Sequence, residues 1–112
     1  MKRGAKREAM TWEALELVAA RFGVLAEPMR LRILQALGGG ERTVTELVGA
    51  TGAGQANVSR HLRVLMDAGM VARRRAGLNA YYRIDDPGIF ELCDLVCRRM
   101  RKAHEAAAAR LG

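Results

Sequence analysis

The stretch Gly54–Ala68, GQANVSRHLRVLMDA, leaves this chain few ways to fold. Its apolar residues Val58, Leu62, Leu65 and Met66, with Val64 beside them, recur at helical spacing, so one stripe must face inward. Gln55, Asn57, Ser59, Arg60 and Arg63 lie largely off that stripe, with no acid among them. Amides and guanidinium forks are the groups that pair bidentately with base edges in a major groove. The helix is expected to stop at Asp67-Ala68-Gly69, where Gly69 can take the left-handed conformation that ends a helix. A helix with these two faces needs a scaffold to hold it against a groove.

The remaining composition allows such a scaffold. At 112 residues the chain suffices for one domain with a modest core, and 50% of it is apolar. Aromatics are only 4%, so the core must be aliphatic. The formal net charge of +7 is either a general surface property or the mark of a polyanionic partner. Its concentration on the Gln55–Arg63 face and in Arg73-Arg74-Arg75 favours the partner. Residues 1–10, MKRGAKREAM, are basic but lead into no apolar signal segment, and no apolar run has the length of a membrane span. Cys93 and Cys97 do not form a secreted disulfide framework, so a cytoplasmic protein without membrane association is expected. No nucleophile–base–orienter set is visible and the two histidines fall on separate helices, so no enzyme is expected.

Read in order, residues 1–10 form a basic arm, 11–109 the domain and 110–112 a tail. Thr11 is a candidate N-cap for a helix whose Trp12, Leu15, Val18, Ala19, Phe22 and Leu25 share a face. Glu27-Pro28 starts a second helix carrying Leu31, Ile33, Leu34 and Leu37, with Arg30 and Arg32 as solvated outward charges, and Gly38-Gly39-Gly40 ends it. Thr43 and Glu46 make a capping box for a short third helix. GATGAG, residues 49–54, lacks the Gly-Lys-Ser/Thr of a phosphate loop and reads as the turn of a helix-turn-helix. Met70–Arg75 and Tyr81–Ile84 alternate as strands around Ala76-Gly77-Leu78-Asn79, where Gly77 and Asn79 tolerate positive φ. This hairpin is a wing beside the candidate recognition helix, and its Arg73, Arg74, Arg75 and Arg83 can reach phosphates or a narrow minor groove. Asp86-Pro87 opens a long final helix with a heptad of Phe90, Cys93, Cys97, Met100, His104, Ala107 and Leu111. The first helix and a second copy of this last one are its natural partners, which predicts a symmetric dimer through Trp12, Leu15, Phe90, Cys93, Cys97 and Met100.

Three segments in proper order resemble the ArsR/SmtB family of bacterial winged-helix repressors. They are Leu25-Ala-Glu-Pro-Met-Arg-Leu-Arg-Ile-Leu34, the run Gln55–Val71, and Tyr81-Tyr82-Arg83-Ile84; the likeness spans roughly residues 11–105. The resemblance implies a mainly α winged helix-turn-helix of order α1-α2-α3-α4-β1-β2-α5. It implies homodimerisation through α1 and α5, binding to a palindromic double-stranded DNA operator, and release by an effector. Carried onto this chain, Gln55, Ala56, Ser59 and Arg60 take groove-facing positions, with Arg63 on the flank. Thr43 and Thr45 take phosphate-contacting positions, and the wing arginines take minor-groove positions. His61 is usual at its place in the motif, where a polar contact to DNA and a partly buried helix histidine are both open. The rival reading is a protein-interaction winged helix that docks through its last helix, and the density of cations on helix and wing argues against it.

The family's sensing sites are not intact. Glu46-Leu47 is followed by Val48-Gly49-Ala50, without the Cys-Val-Cys of its arsenic-type pattern. Asp94 has Val96 two residues on and His104 has Ala107 three on, which breaks its zinc-type pattern. What remains is Cys93, Cys97 and His104 on one stripe. Cysteines at i and i+4 can chelate a thiophilic metal or metalloid ion with a donor from elsewhere. Oxidation between subunits and plain packing of two small apolar thiols are the alternatives. Arg98 and Arg101 would favour thiolate there, and Asp94 would oppose it.

Overall fold

The computed structural model describes residues 9–111, so most of the basic arm expected over residues 1–10 lies outside it. Five helices and one hairpin follow in order: α1 (Trp12–Leu25), α2 (Pro28–Leu37), α3 (Val44–Thr51), α4 (Gln55–Asp67), β1 (Val71–Ala76), β2 (Asn79–Ile84) and α5 (Pro87–Leu111).

Local chemistry sets most of the helix starts. Thr11 Oγ1 accepts from the Ala14 amide at 3.1 Å. Glu27 caps α2 through its carboxylate, which accepts from the amides of Met29 at 2.8 Å and Arg30 at 3.4 Å, and Pro28 fills the first helical position, where no amide is needed. Thr43 and Glu46 form a reciprocal box, with Oγ1 accepting from the Glu46 amide and Oε1 from the Thr43 amide. α3 outlasts its expected end. Gly49, Ala50 and Thr51 are helical, and the turn is Gly52-Ala53-Gly54 alone. Of the glycines there, Gly52 takes φ +77° and stops the helix, while Gly49 stays in the helical backbone.

The core sits where α2, α3 and α4 meet. Ile33 and Leu34 of α2, Leu47 of α3, and Val58, Leu62 and Leu65 of α4 are almost wholly buried. Leu25, Leu37, Met70, Val71 and Tyr82 close the cluster. The strands pair antiparallel from Val71↔Ile84 to Ala76↔Asn79. The connection is therefore the two residues Gly77-Leu78, shorter than the four-residue loop expected. Gly77 alone carries positive φ, at +64°, and Asn79 does not. Glycine at the first central position fits a type II′ turn. A backbone bridge between Arg42 and Tyr82 adds a one-residue third strand and fastens the wing to the entry of α3.

The two outer helices are packed less fully. Leu25, at the very end of α1, is its one buried residue, while Trp12 is 72% and Phe22 55% exposed. Phe90 and Cys93, expected in a helix–helix seam between subunits, are already half-buried within the protomer. Phe90 lies so close to Gly38 that a Cβ added to that glycine would sit 2.5 Å from Phe90 Cζ, and Cys93 packs against the core cluster. The cause is position: α5 starts directly after the hairpin, so its first turns cover the edge of α2. Met100, further along, is exposed. α5 continues to Leu111, past the end near residue 109 read from the pattern.

Leu62→Ala should cost about 2–5 kcal/mol of stability in urea denaturation, because the site is enclosed on all sides and cannot collapse around the lost volume.

Candidate nucleic-acid interface

α4 buries Val58, His61, Leu62 and Leu65 and thereby turns Gln55, Ala56, Ser59, Arg60 and Arg63 to the surface. Its N-cap is Gly54, whose lack of a side chain leaves the first-turn amides without a side-chain acceptor. Arg60 Nη2 donates to Asn57 Oδ1 at 2.7 Å, which holds the guanidinium along the helix and occupies the amide oxygen of half-buried Asn57. Arg63 lies 3.5 Å from Asp67 one turn on. Thr45 is exposed at the start of α3; Thr43 is half-buried, with both its hydroxyl and its amide engaged in the capping box.

His61 does not share that surface. It is 3% exposed and faces the end of α1 and the start of α2. Arg30 Nη1 lies 3.2 Å from its Nδ1. A guanidinium can only donate, so Nδ1 must accept and the proton of the neutral ring sits on Nε2. Nε2 lies 3.9 Å from Glu27 Oε1. Burial, followed by the charges of Arg60 and Arg30, pushes the imidazole below its usual pKa against the pull of Glu27. Burial also raises the Glu27 carboxyl, but the amides of Met29 and Arg30, then His61 and Arg30, outweigh it and hold Glu27 below the usual carboxylate range. Of the two readings open for His61, the geometry favours the buried helix histidine over a polar contact to DNA. Arg30 likewise is no outward solvated charge: its Nε donates to the Val24 carbonyl at 2.6 Å.

The wing arginines divide. Arg74 makes a two-pronged contact to Glu41, at 2.8–3.1 Å, and stacks 4.8 Å above the Tyr81 ring. Its hydrogen bond and charge hold the Glu41 carboxyl down, and Glu41 in turn raises Arg74. Arg73 and Arg75 alternate with Arg74 along β1 and remain exposed. Leu78 at the wing tip is 99% exposed, an apolar tip that alternation along the strands did not single out.

Cys93 and Cys97 are free thiols that line one apolar cavity of about 240 Å³ together with Phe22, Leu25, Leu31 and Val96. Burial, and then Cys97, pushes the Cys93 thiol up. Arg98 does not serve the thiols, because its Nε donates to Asp94 Oδ2 at 2.9 Å. His104 follows Cys97 by seven residues, about 10 Å along the helix axis. Among the described residues no three His, Cys, Asp or Glu side chains come together, so Cys93, Cys97 and His104 form no ligand set within one protomer. No helix among the described residues is long and apolar enough to cross a membrane.

Sequence and structure comparisons place these features among known regulators. A profile described as "Bacterial regulatory protein, arsR family" matches residues 27–73. A probable mercury resistance operon repressor of Streptomyces lividans is 41% identical over 93 residues, 83% of this chain and 73% of that protein. An SmtB homolog of Synechocystis sp., named a transcriptional repressor, is 34% identical over 80% of this chain and 68% of its own length. Among solved structures, the antimony-specific repressor AntR superposes with a TM-score of 0.78 at 34% identity, covering 88% of this chain and 90% of its own. A homodimeric winged helix-turn-helix domain from Mycobacterium bovis gives 0.75 at 32% identity, covering 89% and 95%.

The depressed His61 pKa has a definite sign for stability. The folded state resists protonation at this ring, so its contribution is complete above the ordinary histidine pKa of about 6.5 and is lost as pH falls through the lower folded value. Thermal unfolding followed from pH 7.5 to 5 should show a midpoint that starts to fall below about pH 6.5, and His61→Gln, which has no proton to gain, should flatten that part of the curve.

Proposed function

The chain belongs to the bacterial arsR family of DNA-binding transcriptional regulators, and from that premise we propose that two copies, joined through α1 and α5, read a twofold operator and repress the gene beside it. The observation that carries this reading is the outer face of α4. Gln55, Ser59 and Arg60 are exposed on a helix that is held from behind by a fully buried stripe, and no carboxylate occurs between Gln55 and Met66. Such a face supplies amide, hydroxyl and guanidinium donors to base edges. The uncapped first turn of α4, the start of α3 at Thr43 and Thr45, and Arg73 and Arg75 of the wing supply phosphate contacts on either side. Arg74, already neutralised by Glu41, orders the wing and contributes less. Work of this kind is done in the cytoplasm and needs no catalytic site.

Assembly follows from the uncovered apolar side chains. Trp12, Leu15, Val18 and Phe22 on α1, with Val96 and Met100 on α5, are exposed in the protomer. A second copy presents the same surfaces across a twofold axis. Two recognition helices brought together in this way read half-sites about one DNA turn apart.

The effector we assign to the same interface is a thiophilic metal or metalloid ion held by Cys93 and Cys97. Two soft donors on successive helical turns fit one face of such an ion. One protomer offers no third ligand among the described residues, so the partner's copy of α5 completes the set. Relatives named for mercury and antimony favour this over thiol oxidation, and an i, i+4 pair on one helix has poor geometry for a disulfide of its own.

Fluorescence anisotropy with a duplex selected from random sequence tests both parts. Arg60→Ala should lose about 1–3 kcal/mol for the selected duplex, and Arg75→Ala should weaken all duplexes alike and lower the salt slope by about 0.9. Binding that does not weaken as salt rises would overturn the DNA-reading assignment in favour of a protein-docking winged helix. Antimonite, arsenite, mercuric ion or cadmium should release the duplex from the unaltered protein and not from the Cys93→Ser/Cys97→Ser protein. Release by peroxide alone would move the assignment to oxidation.

A further inference from the structure

The recognition helix is fastened to α1 at two points, and both fasteners are guanidinium groups. Behind its first turns, Arg30 spans from the His61 ring to the Val24 carbonyl. At its end, Arg21 of α1 donates from Nη1 to the Ala68 carbonyl at 2.8 Å. Ala68 is the C-cap of α4, directly before the left-handed Gly69 that starts the wing. The second arm of the same guanidinium, Nη2, meets Asp86 Oδ2 at 3.2 Å, and Asp86 Oδ1 accepts from the Ile89 amide at 3.2 Å in the first turn of α5. One planar group thus joins α1, the exit of α4 and the entry of α5.

Folding energy does not explain this arrangement. The Arg21 and Asp86 side chains are 42% and 37% exposed, and ion pairs so wet add little to stability. Geometry does. Apolar burial anchors α1 at its end, through Leu25 and the half-buried Val24 beside it, while the apolar side chains of the preceding turns, Trp12, Leu15, Val18 and Phe22, stay exposed. Arg21, one turn earlier, makes the next contact along α1, to the Ala68 carbonyl. Both α1 and α5 carry the uncovered apolar side chains, so the angle of α1 determines where a second copy, and its recognition helix, comes to lie.

We propose that Arg21 is a specificity-determining positioning residue: by tying α1 and α5 to the Ala68 carbonyl it fixes the angle between the dimerisation and recognition helices, and so the half-site spacing that the dimer accepts. This inference rests on the operator reading above. It asks nothing of base contact from Arg21, and it is independent of the effector.

The test compares the unaltered protein with Arg21→Gln on the duplex selected by the unaltered protein, and on the same half-sites with one central base pair added or removed. One base pair moves the half-sites by about 3.4 Å and about a tenth of a turn. Arg21→Gln should bind the selected duplex about tenfold more weakly while its preference over the altered spacings shrinks to within about threefold. Its salt slope should be unchanged, and its unfolding midpoint should stay within about 5 °C. Asp86→Asn, which keeps an oxygen for the Ile89 amide and removes the charge, should fall between the two proteins. Unchanged affinity and spacing preference in Arg21→Gln would overturn the inference while leaving the operator reading intact. Lost affinity that tracks a lowered unfolding midpoint, with spacing preference kept, would overturn it as well, in favour of a merely structural contact. If the unaltered protein selects no sequence, the operator reading fails and the inference falls with it.

Discussion

Val58, Leu62 and Leu65 pressed against Ile33, Leu34 and Leu47 are the contact on which the rest of this molecule depends. A helix that serves a groove must be held by one side only, and held hard. Aliphatic packing at interior density does this without directional bonds that would spread to the outer face. Because the stripe takes Val58, His61, Leu62 and Leu65, the helical period forces Ser59, Arg60 and Arg63 outward. The surface chemistry of α4 is therefore a by-product of its packing. A change of register in the core would rotate a different set of side chains to the surface.

Polar contacts then refine what the stripe establishes. Arg30 touches His61 and Val24, Arg21 touches Ala68 and Asp86, and Arg74 touches Glu41 and Tyr81. These cations are committed to the protein itself. The formal charge of +7 thus overstates what faces a polyanion and misplaces some of it. Arg73 and Arg75 are turned to solvent on the strand where Arg74 is tied down, so a run of three like residues serves two purposes according to strand parity.

Much of this was legible in the sequence because it is local. Thr43 and Glu46 cap across three residues, Glu27 and Pro28 do so across one turn, and Gly69 ends α4 with a left-handed backbone. The same rules place the polar face of α4 and the hairpin register to within a residue or two. What escaped is non-local. The Arg74–Glu41 contact spans 33 residues and the Arg21–Ala68 contact 47, and no periodicity announces either. His61 is the instructive case: Val58, His61, Leu62 and Leu65 follow the apolar spacing without a break, so the period itself favours the buried of the two readings that its place in the motif leaves open. GATGAG offered several glycines able to end α3, and of these Gly52 takes the left-handed backbone. Phe90 obeyed a heptad yet packs on α2, because a heptad records that a face is apolar and not which neighbour covers it.

The uncovered face of α1 has a consequence for dosage. The core of each protomer closes without a partner, while Trp12, Leu15 and Phe22 stay in water until one arrives. Where copies are scarce relative to their mutual affinity, the number of assembled pairs climbs as the square of the amount synthesised. Silencing by such a molecule would respond more than proportionally to its concentration: halving the concentration would cut the assembled pairs about fourfold. Its apolar helix face would act as a counter of its own abundance.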